Sequence, residues 1–571
     1  MTTPEATEAS VLVEAVTGLR DAVDSSVLPL ATPGQAEGLV VRRELLQQLD
    51  DYVLPRLRSI DAPLLAVVGG STGAGKSTLV NSIVAAQVSR SGVLRPTTTS
   101  PVLVHHPEDR RWFADQRILP SLARVTGGPG EDSAPGTVRL VDSGSLPAGM
   151  ALLDAPDIDS VVRANRELAG QLLSAADLWL FVTTAARYAD AVPWDLLRTA
   201  AERGTAVAIV LDRIAPEAVD EIRPHLASML REQGLPTAPI FTIPESVLTP
   251  EGFLPADAMA RLKAWLDALA GDARARSIVV SQTLRGAMAS LSGRTATLAD
   301  ASDEQASAAG ALAAAAQSNY ERAVDGVKDG MTDGTLLRGE VLARWQEFVG
   351  TGEFFRQIES TLSKWRDKLT AALKGQPPPA EDLGEALQSG VANLLVSHAS
   401  SASADTAREW RRLPGGDALL AAHPELAKPS PDFTTRVESM VRQWQGEVFD
   451  IVRNEGGNRR TNARIAAYGV NGIGLFLMLV SFAATGGLTG AEFGIAGGTS
   501  VLAQRVLEAI FGDQAVREMA ATARRSLLTH VAELYDGEER RYAAAVAAVG
   551  DTTQQSAALH AAAARIREVS A

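Results

Sequence analysis

The sequence predicts an α/β domain with a mainly parallel, doubly wound sheet, followed by an extended all-α domain that carries a hydrophobic hairpin. Short apolar runs alternate with helical stretches in the first half of the chain, which is typical of βαβ units. Beyond about residue 255 these runs stop and apolar residues recur with helical spacing. A segment of forty residues with a single charge, 465–504, predicts the hairpin.

Composition limits the function. The 571 residues contain 54 Lys and Arg against 68 Asp and Glu, a net charge of −14, so we expect no nucleic-acid partner. The chain has no cysteine, which excludes disulfides, thiolate metal sites and thiol nucleophiles. Hydrophobic residues make up 46% and aromatic residues only 5%, which favours long helices over a β-rich fold.

The α/β domain is expected over residues 38–255, after a loose N-terminal segment, 1–37. Its first predicted strand is the apolar run 64–70, which Pro63 and two glycines bound. A helix is expected directly after it, over about 76–88. The remaining apolar runs, in chain order, are PVLVHH at 101–106, VRLV, MALLD, LWLFVTT at 178–184, AVAIVLD at 206–212 and APIFTIP at 238–244.

The helical domain is expected over residues 256–464, as a bundle or stalk of long helices. Pro- and Gly-bearing pieces at 374–384 and 413–433 indicate turns between these helices. Residues 505–571 are expected to form C-terminal helices that return to the bundle.

The segment 465–504 is long enough for two membrane crossings or one re-entrant hairpin. Basic residues flank it at Arg464 and Arg505, so both ends are expected on the cytoplasmic side. We therefore expect the chain at the cytoplasmic face of the inner membrane, inserted through this hairpin into lipid. A buried core hairpin of a soluble bundle is the alternative, which the polar residues Asn471 and Glu492 favour.

The motif that carries chemistry is GSTGAGKS, Gly70–Ser77, which lies between a predicted strand and a predicted helix. Its glycines allow backbone N–H groups and the helix N-terminus to surround phosphates. Lys76 is placed to reach the β- and γ-phosphates, and Ser77 to bind Mg²⁺. The predicted nucleotide-binding residues here are Gly70, Ser71, Thr72, Gly73, Ala74, Gly75, Lys76, Ser77 and Thr78.

A carboxylate for Mg²⁺ is expected at Asp154, because the run MALLD places it at the carboxyl end of a strand. The Thr-rich loop 95–101 lies between these motifs. A hydroxyl of that loop is a candidate to complete the metal site and to sense the γ-phosphate.

The series GSTGAGKS, PTTTSP, LLDAPD, VLDRI and FTIPES resembles the motifs of P-loop GTPases of the translation-factor class. With a long helical region and a late hydrophobic segment, the chain resembles a bacterial dynamin-like GTPase of the actinobacterial type. The specific motifs lie within about residues 64–250. The resemblance implies binding of GTP and GDP, hydrolysis of GTP with Mg²⁺, and a homo-oligomer or a pair with a related GTPase. It also implies self-assembly that remodels membrane lipid.

The resemblance implies catalytic roles for Lys76, Thr98 and Asp154, and a metal site of Ser77, Thr98 and Asp154. Thr99 is the second candidate for the switch threonine. Asp212 and Arg213 occupy the first two positions of the base-reading motif.

Several residues depart from the family pattern. Asp157 replaces the glycine that binds the γ-phosphate, and Thr72 and Gly73 replace the usual Gln and Ser. Ala215 replaces the carboxylate that reads guanine. Guanine preference therefore follows from the resemblance and not from the base-site residues.

Two other functions are consistent with the same residues. The chain is alternatively a membrane-tethered regulatory GTPase that recruits a partner without remodelling lipid. A third possibility is a soluble nucleoside triphosphatase that uses the hairpin as core.

Overall fold

The computed structural model describes residues 4–90, 101–115, 117–126, 136–159, 163–332, 379–455 and 511–570. The chain divides into two compact units. The first unit consists of Met1–Leu28, Gly34–Glu304 and Thr552–Ala571, and the second of Pro29–Pro33 and Gln305–Asp551. The first unit thus extends past the expected boundary at residue 255, and it includes the last twenty residues of the chain.

The first unit contains one eight-stranded sheet. Seven of its strands coincide with the apolar runs of the sequence, and the eighth is a three-residue strand, Ala123–Val125. The strands are β1 Leu64–Gly70, β2 Val102–His105, β3 Ala123–Val125, β4 Thr137–Asp142, β5 Met150–Asp154, β6 Leu178–Thr184, β7 Ala206–Ile214 and β8 Ile240–Pro244.

Helices alternate with these strands, as the sequence predicts. The α-helices up to the end of the first long helix are α1 Pro4–Ser25, α2 Gln35–Gln48, α3 Leu54–Arg58, α4 Lys76–Val84, α5 Arg110–Phe113, α6 Arg163–Ser174, α7 Ala191–Glu202, α8 Val219–Glu232, α9 Ala256–Gly271 and α10 Ala273–Thr332. A π-helical turn, Leu49–Val53, joins α2 to α3.

The strand order is β3-β4-β2-β5-β1-β6-β7-β8. Every adjacent pair is parallel except β2 and β5, which are antiparallel. The prediction of a mainly parallel sheet is confirmed. Strands β5, β1, β6 and β7 run in the same direction, so their carboxyl ends lie at one edge of the sheet, where ligands bind in such folds.

Apolar cores cover both faces of the sheet, as expected for a doubly wound fold. Because successive strand residues point to opposite faces, Leu65 and Val67 of β1 enter one core and Ala66 and Val68 enter the other. Helices α6, α7 and α8 pack on the first face, and α4 and α9 pack on the second. All seven residues of β1 are buried, which explains its continuous apolar sequence.

The N-terminal segment 1–37 contains helix α1, although the sequence suggested a loose connection. Val16, Leu19 and Val23 of α1 are buried in an apolar cluster that also contains Leu559 and Ile566 of the C-terminal helix α15, Gln555–Ser570. This helix is therefore stabilised by residues more than 500 positions away along the chain.

The second unit is helical. Besides the later part of α10, it contains α11 Pro379–Trp410, α12 Gly416–Ala422, α13 Phe433–Glu455 and α14 Asp513–Ala547. The expected turn region 413–433 holds α12 and a short 3-10 turn, Pro424–Ala427. The large helical region of the prediction is confirmed.

A buried carboxylate, Glu538, joins the elements of the second unit. Its oxygens accept hydrogen bonds from the Ser430 N–H at 2.9 Å, from Arg436 Nη1 at 3.1 Å and from Arg541 Nη1 at 2.7 Å. Two guanidinium groups compensate its charge, as a buried carboxylate requires. The burial of Glu538 thus has a structural explanation.

The expected hairpin 465–504 and the threonines Thr98 and Thr99 lie outside the described residues. In the part of the chain that the structure describes, every helix is too short or too polar to cross a bilayer.

Candidate nucleotide-binding site

The phosphate loop connects β1 to α4 at the carboxyl edge of the sheet. Gly70 and Gly75 have positive φ angles of 150° and 95°, which favour glycine. A Cβ atom on Gly70 would lie 2.1 Å from the Val182 carbonyl oxygen, and one on Gly75 would lie 2.5 Å from Asp212 Oδ2. Gly70 is therefore required by the close approach of β6, and Gly75 by its positive φ angle and the nearby Asp212 carboxylate.

Lys76 is the first residue of α4, and its side chain is 5% exposed. The ammonium donates to the carbonyl oxygens of Gly70 at 2.9 Å and Ser71 at 3.0 Å. It also forms a hydrogen-bonded ion pair with Asp157 Oδ1. The lysine therefore folds back over the loop that would hold a phosphate chain.

The predicted metal residues Ser77 and Asp154 are brought together. The Ser77 hydroxyl donates to Asp154 Oδ2 at 2.7 Å, and the Ser89 hydroxyl donates to the same oxygen. The other oxygen, Oδ1, is buried and has no hydrogen-bond partner among the described residues. Burial raises the pKa of Asp154, while the two serine hydroxyls and Lys76 act in the opposite direction.

Asp159 and Arg187 form a second group of polar contacts with the phosphate loop, at Thr72. The N–H and the hydroxyl of Thr72 both donate to Asp159 Oδ1 at 2.6 Å. Arg187, after β6, donates to the Thr72 carbonyl oxygen at 2.7 Å and to Asp159 Oδ2 at 2.9 Å. Burial alone would raise the pKa of Asp159, but its bonds with Thr72 and Arg187 lower it.

The predicted base-site residues lie at the end of β7. Asp212 Oδ1 is buried and no described residue forms a hydrogen bond with it, and Asp212 Oδ2 is 3.8 Å from Arg213 Nε. Burial raises the pKa of Asp212 to about 6. Arg213 has a positive φ of 54°, and its guanidinium donates to the carbonyl oxygen of Gly73. Both residues therefore contact or adjoin the phosphate loop.

The structure brings most of the predicted residues into one site. Gly70–Ser77 form the loop, Thr78 lies in the first turn of α4, and Asp154, Asp212 and Arg213 border them. Thr98 lies outside the described residues. No specific signal in the sequence points to Ser89 or Asp159. Arg187 follows the carboxyl end of β6, so the rule that ligands bind at strand ends points to it.

A cavity of about 560 Å³ lies away from this site, between α2, α6 and α7. Its lining includes Arg43, Trp179 and Arg203, and no residue of the phosphate loop. The candidate site is therefore identified by its chemistry and not by the size of a cavity.

No family model matches the sequence, and no curated protein matches it either. Two chains of solved structures are similar in structure to this chain. Both are described as belonging to an oligomerised bacterial dynamin pair that provides a mechanism for long-range sensing and tethering of membranes. Their TM-scores are 0.49 and 0.43, each at 10% sequence identity. The matches cover 100% and 96% of this chain, and 96% and 97% of the other chains. Likeness at this level does not transfer a function, so the function has to be inferred from the site itself.

Proposed function

We propose that this chain is a magnesium-dependent nucleoside triphosphatase that binds and hydrolyses GTP. The observation that carries the proposal is the joint placement of Lys76, Ser77 and Asp154 at the start of α4. A phosphate chain on this loop would meet the helix N-terminus, the ammonium and a hydroxyl–carboxylate pair. These are the groups that stabilise negative charge on a transferred phosphoryl group.

The residues present fit a magnesium ion. In the part of the chain that the structure describes, the buried oxygen Asp154 Oδ1 has no partner, and the Ser77 hydroxyl donates to the other oxygen, Oδ2. No group of three or more His, Asp or Glu residues suited to a metal occurs among the described residues. Magnesium does not require such a group, because one or two carboxylates, water and substrate phosphates suffice. When bound, the ion would neutralise charge on the β- and γ-phosphate oxygens.

The protein's own residues supply binding and orientation. Lys76 would exchange its present oxygen partners for phosphate oxygens, and the N–H groups of the loop and of α4 would bind the β-phosphate. Asp154 would hold the Ser77 hydroxyl in place. Thr98 remains a predicted third metal ligand and γ-phosphate sensor.

We further propose that Asp212 and Arg213 contact the base and sugar of GTP or GDP. Asp212 is acceptor-only when ionised, so it can pair with the N1 and N2 hydrogens of guanine. It would then replace the carboxylate that Ala215 lacks. The free Oδ1 atom supports this role.

The finer proposal is that hydrolysis drives self-assembly and membrane remodelling at the cytoplasmic face of the inner membrane. The chain would act as a homo-oligomer or with a related GTPase, and insert through 465–504. The apolar character of that segment and the resemblance of the motif series support this part of the proposal.

The test is steady-state phosphate release with GTP and with ATP, over a protein dilution series, with and without anionic liposomes. We expect GTP to be favoured and the specific activity to rise with protein concentration and with lipid. Lys76→Ala is the negative control, because this substitution removes the ammonium that would bind phosphate.

Three results would change the proposal. Equal release by the wild type and Lys76→Ala would contradict nucleotide hydrolysis at this site. A preference for ATP would contradict the guanine assignment. A rate that depends on neither concentration nor lipid would favour the regulatory switch over the remodelling assembly.

A further inference from the structure

The Lys76 ammonium has no donor left for a phosphate. An ammonium has three protons to donate. In the structure these three bonds go to the Gly70 carbonyl, the Ser71 carbonyl and the Asp157 carboxylate. A phosphate oxygen that binds Lys76 must therefore replace one of the three.

Asp157 is the partner most easily replaced. The two carbonyls belong to the loop itself, within six residues of Lys76. Asp157 instead lies after the end of β5, outside any helix or strand, and its side chain is 18% exposed. Its carboxylate can rotate into solvent without disturbing a backbone hydrogen-bond ladder.

The carboxylate also carries the charge of the group that would replace it. Two anions cannot share one ammonium closely without repulsion, which is strong at short distance in a partly buried site. A nucleoside diphosphate brings one anionic group, its β-phosphate, to Lys76, so the Asp157 carboxylate repels it less than it repels a triphosphate. A triphosphate adds a second anionic group at the same ammonium.

We propose that the Asp157 carboxylate is a phosphate stand-in that holds Lys76 until a nucleoside triphosphate displaces it. Residue 157 thereby sets the relative affinity for di- and triphosphate. The inference rests on the proposed function and adds a specificity-determining residue to it.

Displacement of Asp157 reaches the rest of the site through its neighbours. The Ile158 N–H points to the Gly70 carbonyl oxygen at 3.5 Å, and Ile158 is buried. Asp159 holds both the N–H and the hydroxyl of Thr72. Three consecutive residues, 157–159, thus contact the phosphate loop, and they connect the ion pair at Lys76 to the hydrogen bonds at Thr72.

The test measures binding of fluorescent GTP and GDP analogues to the full-length wild type and to Asp157→Asn, Asp157→Ala and Asp157→Glu. We expect the Asn and Ala variants to raise the affinity for the triphosphate about tenfold relative to the diphosphate, with Ala at least equal to Asn. The Glu variant keeps the charge, so its ratio should stay near that of the wild type. Asp195→Asn is the matched control, because it removes one exposed carboxylate that pairs with Arg198 on α7.

Thermal unfolding of each variant shows whether it is folded before its affinities are compared. If the wild type binds both nucleotides and the Asn and Ala variants leave their ratio unchanged, the stand-in role is wrong while the proposed function stands. If the ratio of triphosphate to diphosphate affinity rises equally in Asp195→Asn, the stand-in role of Asp157 is also wrong, because the effect then comes from the net charge of the protein. If none of the proteins binds any nucleotide, the proposed function fails, and this inference fails with it.

Discussion

Asp154 and Asp212 flank the phosphate loop, and the two aspartates are supported very differently. Asp154 ends β5, next to β1, and Asp212 lies near the end of β7 on the other side. Each is buried, and each has one oxygen that forms no hydrogen bond within the described ranges. The second oxygen of Asp154 accepts two serine hydroxyls, whereas that of Asp212 lies 3.8 Å from the Arg213 guanidinium.

The phosphate side of the site, around Asp154, therefore has more hydrogen-bond donors to its carboxylate than the base side has around Asp212. Around Asp154, burial raises the pKa, and two hydroxyl donors and the Lys76 ammonium act against that rise. Around Asp212, burial outweighs the backbone bond and charge of Arg213, and its pKa rises to about 6. Above that pKa, the ionised Asp212 therefore lowers the stability of the folded protein.

The largest effect is expected on the phosphate side. Asp154→Asn keeps the shape of the side chain but removes the charge that attracts Mg²⁺, so kcat/KM for GTP should fall about 1000-fold. Phosphate release measured across a Mg²⁺ titration checks this. A variant within about threefold of the wild type would mean that Asp154 is not a metal residue, and the contrast with Asp212 would disappear.

On the base side, Asp212→Asn is expected to stabilise the protein. The folded chain binds the Asp212 proton more tightly than the unfolded chain, because the pKa rises from 3.8 to about 6. Stability is therefore lost as pH rises from about 4 to about 6, and it stays lower above that range. Removing the charge should add about 3 kcal/mol to the free energy of unfolding at pH 7.5, and about half of that at pH 5.

Urea unfolding of both proteins at the two pH values provides the measurement. The same gain at pH 5 and at pH 7.5 would show that titration of Asp212 is not its source. A loss of stability would mean that the ionised carboxylate has a partner in the folded state.

The same substitution should reduce nucleotide discrimination. If Asp212 accepts hydrogen bonds from guanine, the neutral amide would lower the preference for GTP over ATP by about tenfold. Competition binding with the two triphosphates measures the ratio. An unchanged ratio would leave Asp212 as a buried carboxylate without a role in base selection, and Arg213 would become the next residue to substitute.

The smallest effect is expected at the clamp on Thr72. Arg187→Ala removes the bond to the Thr72 carbonyl and the cation that pairs with Asp159, so kcat should fall about fivefold while GTP affinity changes less. Single-turnover hydrolysis together with equilibrium binding separates the two quantities. Arg198→Ala, on the exposed face of α7, is the matched control and should behave as the wild type.

Features that depend on local sequence were predictable. The strands were visible because a strand buried on both faces must be apolar along its whole length, as in Leu64–Gly70. The phosphate loop was visible because its glycines and its position between strand and helix are both encoded within a few residues. The three-residue strand Ala123–Val125 was missed because it is too short for a periodic pattern, and its middle residue, Arg124, is polar.

Features that depend on distant partners were not predictable. The sequence predicts a loose segment over 1–37, because some of the residues that bury α1, such as Leu559 and Ile566 of α15, are at the other end of the chain. The clamp of Arg187 on Thr72 joins residues 115 positions apart, and the ion pair of Lys76 with Asp157 joins residues 81 positions apart. No pattern in the sequence marks such pairs.

The sequence by itself determined the fold class of the first unit, the phosphate loop and the aspartate at the end of β5, because these follow from local periodicity and from the requirements of phosphate chemistry. Only the tertiary structure decided which side chains from other elements contact the phosphate loop. The strands converge at one edge, so Asp157 reaches Lys76 and Arg187 reaches Thr72, while Asp212 is buried without enough donors. Burial and close approach determine the charge state and the partner of each group, and both depend on neighbours that are remote in the chain.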